Sequence, residues 1–417
     1  MEAGETVFRV NFCGSDVADW HHGEAINFSG RPEQWPAFLG LSLTELRITH
    51  VLLHGDRRYY HRVAADLCQE RGIKVIATEL GYLRPDWMTV ERGGCSALSH
   101  FPIEPTAIAA IARKVGGCDS MVRFPIQERR RVLQELRFTF FNFLMCYRFP
   151  HYRSHRVEPR GIIYAGWIAS RLMGQVRKRR AAATMSAIRA MGRQHYIFAM
   201  QLNGDLQIRE NSPFTGMREA FDYVARSFSA HAPSGSLLIV KTHPLDHRQR
   251  QIEREISATA SELGIEGRVV QIDQGDLREL CLDAAGFVSV NSTAGFDALG
   301  AGCPTVALLP TIYDIVGLCF DGGLDRFWTE GTTPDPQLLT DLRDAMAGTI
   351  QVRGTIYHAE GLREASRSIA QRLHDERINE PDAFVVAPPR LAKAAAMGVI
   401  YGSDGGEHGG SNPVHAT

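Results

Sequence analysis

Between Gln201 and Pro304 an apolar run ends three times in a sharp polar turn: QLNGDLQ (201–207), KTHP (241–244) and NSTAGFDALGAGCP (291–304). Short apolar runs that alternate with helical stretches define βαβ units and a parallel sheet. In an open α/β sheet, ligands bind in the crevice beyond the carboxyl ends of the strands. The three turns therefore set a carboxylate, a histidine and a hydroxyl-rich helix start along one rim. That is the layout of a nucleotide-sugar site.

The same alternation runs through the first third. FRVNF (8–12), THVLLHGD (49–56) and IKVIATE (73–79) read as strands, with helices at about 59–71 and at TAIAAIARKVG (106–116). In the second half HYIFAMQ (195–201), SLLIVKTHP (236–244), RVVQID (268–273), GFVSVNS (286–292) and PTVALLP (304–310) read as strands separated by helices. The expected class is α/β and GT-B-like: two Rossmann-like domains facing a central cleft, joined by a helical basic connector. The expected divisions are an acceptor-side domain over 1–122, the connector over 123–193, a nucleotide-sugar domain over 194–385 and a largely disordered tail over 386–417. The tail ends in Gly, Ser, His and Pro, a composition that cannot build a core.

Charge excludes one class of partner. Lys+Arg (46) and Asp+Glu (47) nearly cancel, which argues against a nucleic-acid binder. The eight cysteines form no CxxC pair, so zinc and redox motifs are not indicated and a reduced compartment is expected. No DxD-type motif stands out, so neither a metal nor another cofactor is expected. The N-terminus MEAGETVFRVNFCG has no signal-peptide apolar stretch, which predicts a cytoplasmic chain. No apolar run reaches the roughly 18–20 residues of a membrane span. Residues 123–180 carry fourteen Arg/Lys against three acids. The plain reading is a pair of solvated linker helices. The sharper one is a membrane-surface element, because FTFFNFLMCY (138–147) is flanked by arginines.

Each candidate site residue has an ordinary reading beside the chemical one. Ser292 and Thr293 cap a helix or hold a phosphate, and Gly295 permits close approach of a ligand or of backbone. His243 is a turn histidine or a donor to a phosphate. Asp205 is a turn cap or a nucleophile. Asp273, Asp276 and Glu279 follow a strand where an acid often takes ribose hydroxyls, and Asp276 is the marginal choice. In the first half, CGSD (13–16), HGDRRYYHR (54–62) and TELGYLRPDWMTVE (78–91) end strands and supply polar groups to an acceptor or a base. Asp56, Arg57, Arg84, Tyr313 and Asp314 are the substrate-side candidates.

ELGYLRPDWMTVE, QLNGDLQIRENSPF, KTHPLD and VNSTAGFDALGAGCPTVALLPTIYDIVGL together resemble the capsule polysaccharide biosynthesis family of KpsS- and KpsC-type retaining β-Kdo glycosyltransferases. Order and spacing are most like the single-module, KpsS-like members, over about residues 8 to 330. The resemblance implies a GT-B fold and transfer of Kdo from CMP-β-Kdo to a (lyso)phosphatidylglycerol-type lipid that starts the capsule linker. It implies a place on the inner face of the bacterial inner membrane, with capsule biosynthesis and export proteins as partners. It maps the nucleophile onto Asp205 with Gln201 leading its motif, and the CMP phosphate contacts onto His243, Ser292 and Thr293. It maps an acid/base onto Glu79 and the following arginine onto Arg84. Leu206 stands where such sequences usually have Ser, and GGCSALSHFP (93–102) departs from the usual loop, which bears on the acceptor and the sugar. The alternatives are a transferase of another CMP- or UDP-linked sugar, or a non-catalytic assembly partner.

Overall fold

The computed structural model describes residues 4–23, 25–119, 121–154, 160–202, 208 and 212–399, with backbone alone described over 160–172. Asp205 lies outside these residues.

The first half holds β1 (Arg9–Asn11), β2 (Ala25–Asn27), β3 (His50–His54), β4 (Lys74–Leu80) and β5 (Trp87–Arg92). β1 and β2 form a separate parallel pair. β3 and β4 are parallel, joined through the helix Tyr59–Glu70. That helix buries Tyr60, Ala64 and Cys68 against Trp35, Leu39, Leu53 and Val75. β5 then folds back antiparallel onto β4. A Cβ on Gly81 would sit 2.4 Å from the Trp87 carbonyl oxygen, so this reversal needs glycine.

The second half holds β6 (His195–Ala199), β7 (Leu237–Lys241), β8 (Val269–Ile272), β9 (Gly286–Ser289) and β10 (Thr305–Ala307). All are parallel, in the order β10-β9-β6-β7-β8. Counted along this half, that is the doubly wound order 3-2-1-4-5, with its switch point between β6 and β9. Strands buried on both faces read as continuous apolar runs, and β6, β7 and β9 do. Phe198, Val240 and Val288 face Phe221, Val224 and Phe228 of the helix Met217–His231. Ile197, Ile239 and Phe287 face Ala181, Met185 and Ile188 of the helix Arg160–Ala190. Each large side chain so buried contributes about 1.5–3 kcal/mol.

Three expected boundaries are corrected. The connector does not run to 193: its helix packs under the second sheet from Ala181 onward. The basic run at 177–180 obscures the apolar spacing of 181, 185 and 188. The second domain does not run to 385 either. β11 (Gln351–Arg353) pairs antiparallel with β5, so the first sheet has the order β11-β5-β4-β3 and is mixed rather than wholly parallel. The helix Pro336–Thr349 packs on Pro105–Val115 through Leu342, Met346, Ile108 and Ile111. The helix Ala359–His374 sets Ala365 against Met88 and Val90. A three-residue strand is too short to show a period, and pairing across this separation leaves no local trace. Finally, the tail is ordered as far as Val399: Arg390, Ala394 and Val399 are buried. Residues 400–417 lie outside the described residues.

Candidate functional site

The carboxyl ends of β6 and β9 meet at the switch point of the second sheet. Gln201, just past β6, is buried and donates through Nε2 to Asn291 Oδ1 at 3.0 Å. The Asn291 backbone N–H returns a bond to Gln201 Oε1 at 3.4 Å. This reciprocal pair clamps the two strand ends on either side of the crevice.

The KTHP turn lies beside it at the end of β7. Thr242 continues the strand ladder to Ile272 O and donates its hydroxyl to Gln249 Oε1 at 2.7 Å. Gln249 Nε2 and Asp246 N both donate to His243 O, at 2.8 and 3.0 Å. The ring is held as well: Leu245 N donates to His243 Nδ1 at 3.2 Å. A ring nitrogen that accepts a hydrogen bond carries no proton, so the neutral imidazole carries its proton on Nε2. His243 is therefore a donor of fixed orientation.

The NST turn is built differently from its expectation. Its helix, Gly295–Gly300, has six residues, too short for a strong macrodipole. Ser292 Oγ accepts from Ala294 N at 3.2 Å, so its hydroxyl caps the turn. Thr293 is half-buried beside it, its carbonyl accepting from Phe296 N at 3.1 Å. One substrate-side expectation is corrected here. Tyr313 is fully buried; it donates to Ser292 O at 2.5 Å and stands 3.3 Å from Ser289 Oγ. Burial pushes its phenol well above the ordinary range. It buttresses the turn from beneath and does not face an acceptor. Gly295 is glycine because a Cβ there would lie 2.2 Å from Tyr313 Cζ, so it permits close approach of that ring.

Asp314 is likewise corrected: it pairs with Lys393 Nζ at 2.7 Å and ties down the helix Leu391–Ala396. Asp276 caps the helix Leu277–Cys281, accepting from Glu279 N at 3.1 Å. Asp273 pairs with Arg177 at 3.4 Å. Lys241 sits inside this acidic group, with its ammonium pushed down by burial and supported by Asp273 and Asp276.

One feature had no sequence signal. A cavity of about 200 Å³ opens between Gln201, the start of the helix Met217–His231 (Thr215, Gly216, Arg218) and the segment after His243 (Asp246, Arg248). Ligand pockets commonly hold about 300–1,000 Å³, so this one takes a group rather than a whole nucleotide sugar. Arg248 is fixed in it by Asp246, with Nη2–Oδ2 at 3.2 Å and Nε–Oδ1 at 3.3 Å.

The first half offers a second rim. Glu79 is half-buried on β4, its Oε1 3.6 Å from where a Cβ on Gly55 would stand, with Arg58 Nε 3.5 Å from the same point. Thr78 donates its hydroxyl to Leu53 O at 3.0 Å, so His54 Nδ1 is the donor to Thr78 Oγ1 at 3.2 Å. His61 Nδ1 donates to Gly55 O. Both rings thus keep the lone pair on Nε2. Burial, and then the charge of Arg58, lowers His54 to about 4; burial also lowers His61, against the charge of Asp16. HGDRRYYHR, CGSD and TELG therefore lie near one another, with Glu79 beside Gly55 and Asp16 acting on His61. Asp56 and Arg57 are buried in the same turn. Asp56 accepts from Cys95 N at 2.8 Å and holds the GGCSALSHFP loop, so it is corrected from a substrate group to a loop anchor. Asp86 anchors Arg123 N at 2.7 Å and Arg353 Nη1 at 3.0 Å. Arg84 is exposed and its charge bears on Asp297 of the second half.

Residues 49–357 match the family described as capsule polysaccharide biosynthesis protein. The chain belongs to that family. It is 28% identical over 361 residues to the capsule polysaccharide export protein KpsS of Escherichia coli, covering 85% of this chain and 91% of the relative. It is 27% identical over 372 residues to the capsule polysaccharide modification protein LipB of Neisseria meningitidis serogroup A, covering 85% of this chain and 86% of that one. Among solved structures it is similar to Thermosulfurimonas dismutans KpsC, a beta Kdo 2,7 transferase, with 15% identity and a TM-score of 0.40 over 89% of this chain and 100% of that one. The capsule-family match opens at β3 and closes just past β11, the two edges of the first sheet, so it takes in the second rim, the first rim apart from CGSD, and the returning segment.

Proposed function

We propose that this capsule-family chain is a retaining glycosyltransferase of GT-B type that moves Kdo from CMP-β-Kdo to a (lyso)phosphatidylglycerol-type lipid. The observation that carries this reading is the Gln201–Asn291 clamp at the switch point, with the oriented His243 and the Arg248 cavity beside it. In the reading, His243 Nε2–H and the hydroxyls of Ser292 and Thr293 take the phosphate of CMP. Arg248 lies on the same rim, where an anionic substrate needs a cation.

Asp205 forms a bond from its carboxylate oxygen to the anomeric carbon as the bond to the CMP phosphate oxygen breaks, and CMP leaves with the electron pair. The acceptor hydroxyl then displaces Asp205, giving its proton to a base on the first rim, Glu79. Two inversions retain configuration. Arg84 balances anionic charge across the gap between the halves. CMP-Kdo is a substrate, and no separate cofactor is invoked. The acceptor places the protein on the inner face of the inner membrane, beside capsule biosynthesis and export partners.

The test is incubation with CMP-Kdo and a lysophospholipid, followed by mass spectrometry. A lipid-linked Kdo product that disappears with Asp205→Ala is expected. Thermal shifts with CMP, UDP and GDP check the donor base. Stabilisation by UDP and not CMP would replace the donor in this reading.

A further inference from the structure

The helix Glu128–Leu144 turns the usual amphipathic arrangement around. Its body face is pinned by polar contacts: Gln134 Nε2 donates to Ile356 O at 3.0 Å, Arg137 pairs with Asp19 at 2.8 Å, and Asn142 Oδ1 accepts from Ser15 N at 2.9 Å. Its outer face carries Leu133, Leu136, Phe140, Phe143 and, just past its end, Tyr147, which are 66, 50, 58, 78 and 78% exposed. Their spacing of 3, 4, 3 and 4 residues is one stripe of a helix. A helix on a soluble body ordinarily buries such a stripe, and an exposed one marks an interaction site.

We propose that this stripe seats the protein on an anionic lipid bilayer, with the helix lying in the plane of the surface. The charge around it selects that occupant. Arg129 stands one turn ahead of Leu133, and Arg148 and Arg153 follow Tyr147; all three are exposed. The whole chain is close to neutral, at −1, while residues 123–180 hold fourteen basic residues against three acids. Apolar and aromatic side chains bounded by arginines suit the boundary between acyl chains and anionic headgroups. At 17 residues the helix is about 25 Å long. No helix among the described residues is long and apolar enough to cross a membrane.

The helix also lies near the first rim. The helix packs against Gly14–Asp19: a Cβ on Gly14 would stand 2.2 Å from Phe141 O. Asp16 of that short helix acts on His61 of the first rim. The lipid-facing helix therefore stands one short helix away from the first rim. What docking does for that rim rests on the reading of a lipid acceptor, and its test separates the two.

Co-sedimentation of the full chain with vesicles of phosphatidylglycerol and phosphatidylcholine, against phosphatidylcholine alone, reads the binding. The wild type is expected to bind the anionic vesicles and to release as salt rises. The double substitution Phe140→Ser, Phe143→Ser is expected to lower the bound fraction about tenfold, and Arg129→Gln with Arg148→Gln severalfold. Both variants should melt like the wild type, because all four side chains are exposed, and should keep full transfer to a short-chain, water-soluble acceptor. Absence of wild-type binding, or unchanged binding by the Phe variant, overturns the proposal. A wild-type dimer in light scattering that the Phe variant makes monomeric also overturns it, in favour of a protein interface. If no acceptor is ever glycosylated while the Phe variant loses vesicle binding, docking stands and the transferase reading falls.

Discussion

The second sheet runs β10-β9-β6-β7-β8, all parallel, with every crossover made within one continuous stretch of chain. The first runs β11-β5-β4-β3, mixed, with one edge strand supplied from far along the sequence. Their polar residues differ in the same way. On the second rim the turns hold themselves: His243 bonds Leu245, and Ser292 caps Ala294. In the first half a buried carboxylate held by near neighbours is also tied to a distant arginine. Glu91 accepts from Tyr82 Oη at 3.0 Å and from Ser99 Oγ, and feels Arg390. The Arg390 guanidinium bonds Thr311 O and Ile312 O of one half and Phe101 O of the other. Local turns shape the second rim, with one longer tie from Gln201 to Asn291; the first half adds a network that many stretches must agree on.

The largest effect expected is on catalysis, and it asks whether both rims act. His243→Ala should lower kcat/KM about 10²–10⁴-fold, as should Glu79→Gln, in a coupled assay of CMP release. If only His243 matters, the first rim binds and does no chemistry.

The next effect probes the long-range network. Burial raises Glu91 from 4.5 to about 7. A carboxyl whose folded value is raised holds its proton while the unfolded chain releases it. Its contribution is therefore full below pH 4.5, falls as pH rises from 4.5 to about 7, and is constant above. The size is about 3 kcal/mol. Urea unfolding at a series of pH values should show Glu91→Gln losing that slope relative to the wild type. An unchanged slope would show that burial does not hold Glu91 neutral.

Gly295→Ala probes the local rim. Its Cβ would enter the Tyr313 ring, which is itself fully buried, and overpacking of this kind costs about 1–3 kcal/mol. Chemical denaturation checks it, and Tyr313→Ala in the same chain should relieve part of the clash. The smallest effect is the coupling between Gln201→Ala and Asn291→Ala, about 0.5–1.5 kcal/mol in a double-mutant cycle. Coupling near zero would leave the two strand ends independent of each other.

The legible part of the site is the part built by local turns. KTHP and NST lie at strand ends as their flanking apolar runs require, and the five strands of the second sheet fall where those runs stand. What stayed hidden has a common cause. Tyr313, Gly295 and Asp314 follow strand ends and read like site residues, yet each packs on or pairs with a neighbour that only folding supplies. His54 and His61 lie in plain view in HGDRRYYHR, but which nitrogen each ring offers depends on Thr78 and Gly55. Arg248 entered the site only because the segment after His243 lines one cavity with Gln201.

Period and punctuation along the chain determine the α/β class, the parallel second sheet and the polar rim, because a strand buried on both faces and the turn that ends it are written in consecutive residues. The tertiary structure alone decided that residues 351–353 complete the first sheet and that the stripe from Leu133 to Tyr147 faces outward. A hydrogen-bonded edge and an unburied face are relations between distant segments, and no window of sequence contains both partners.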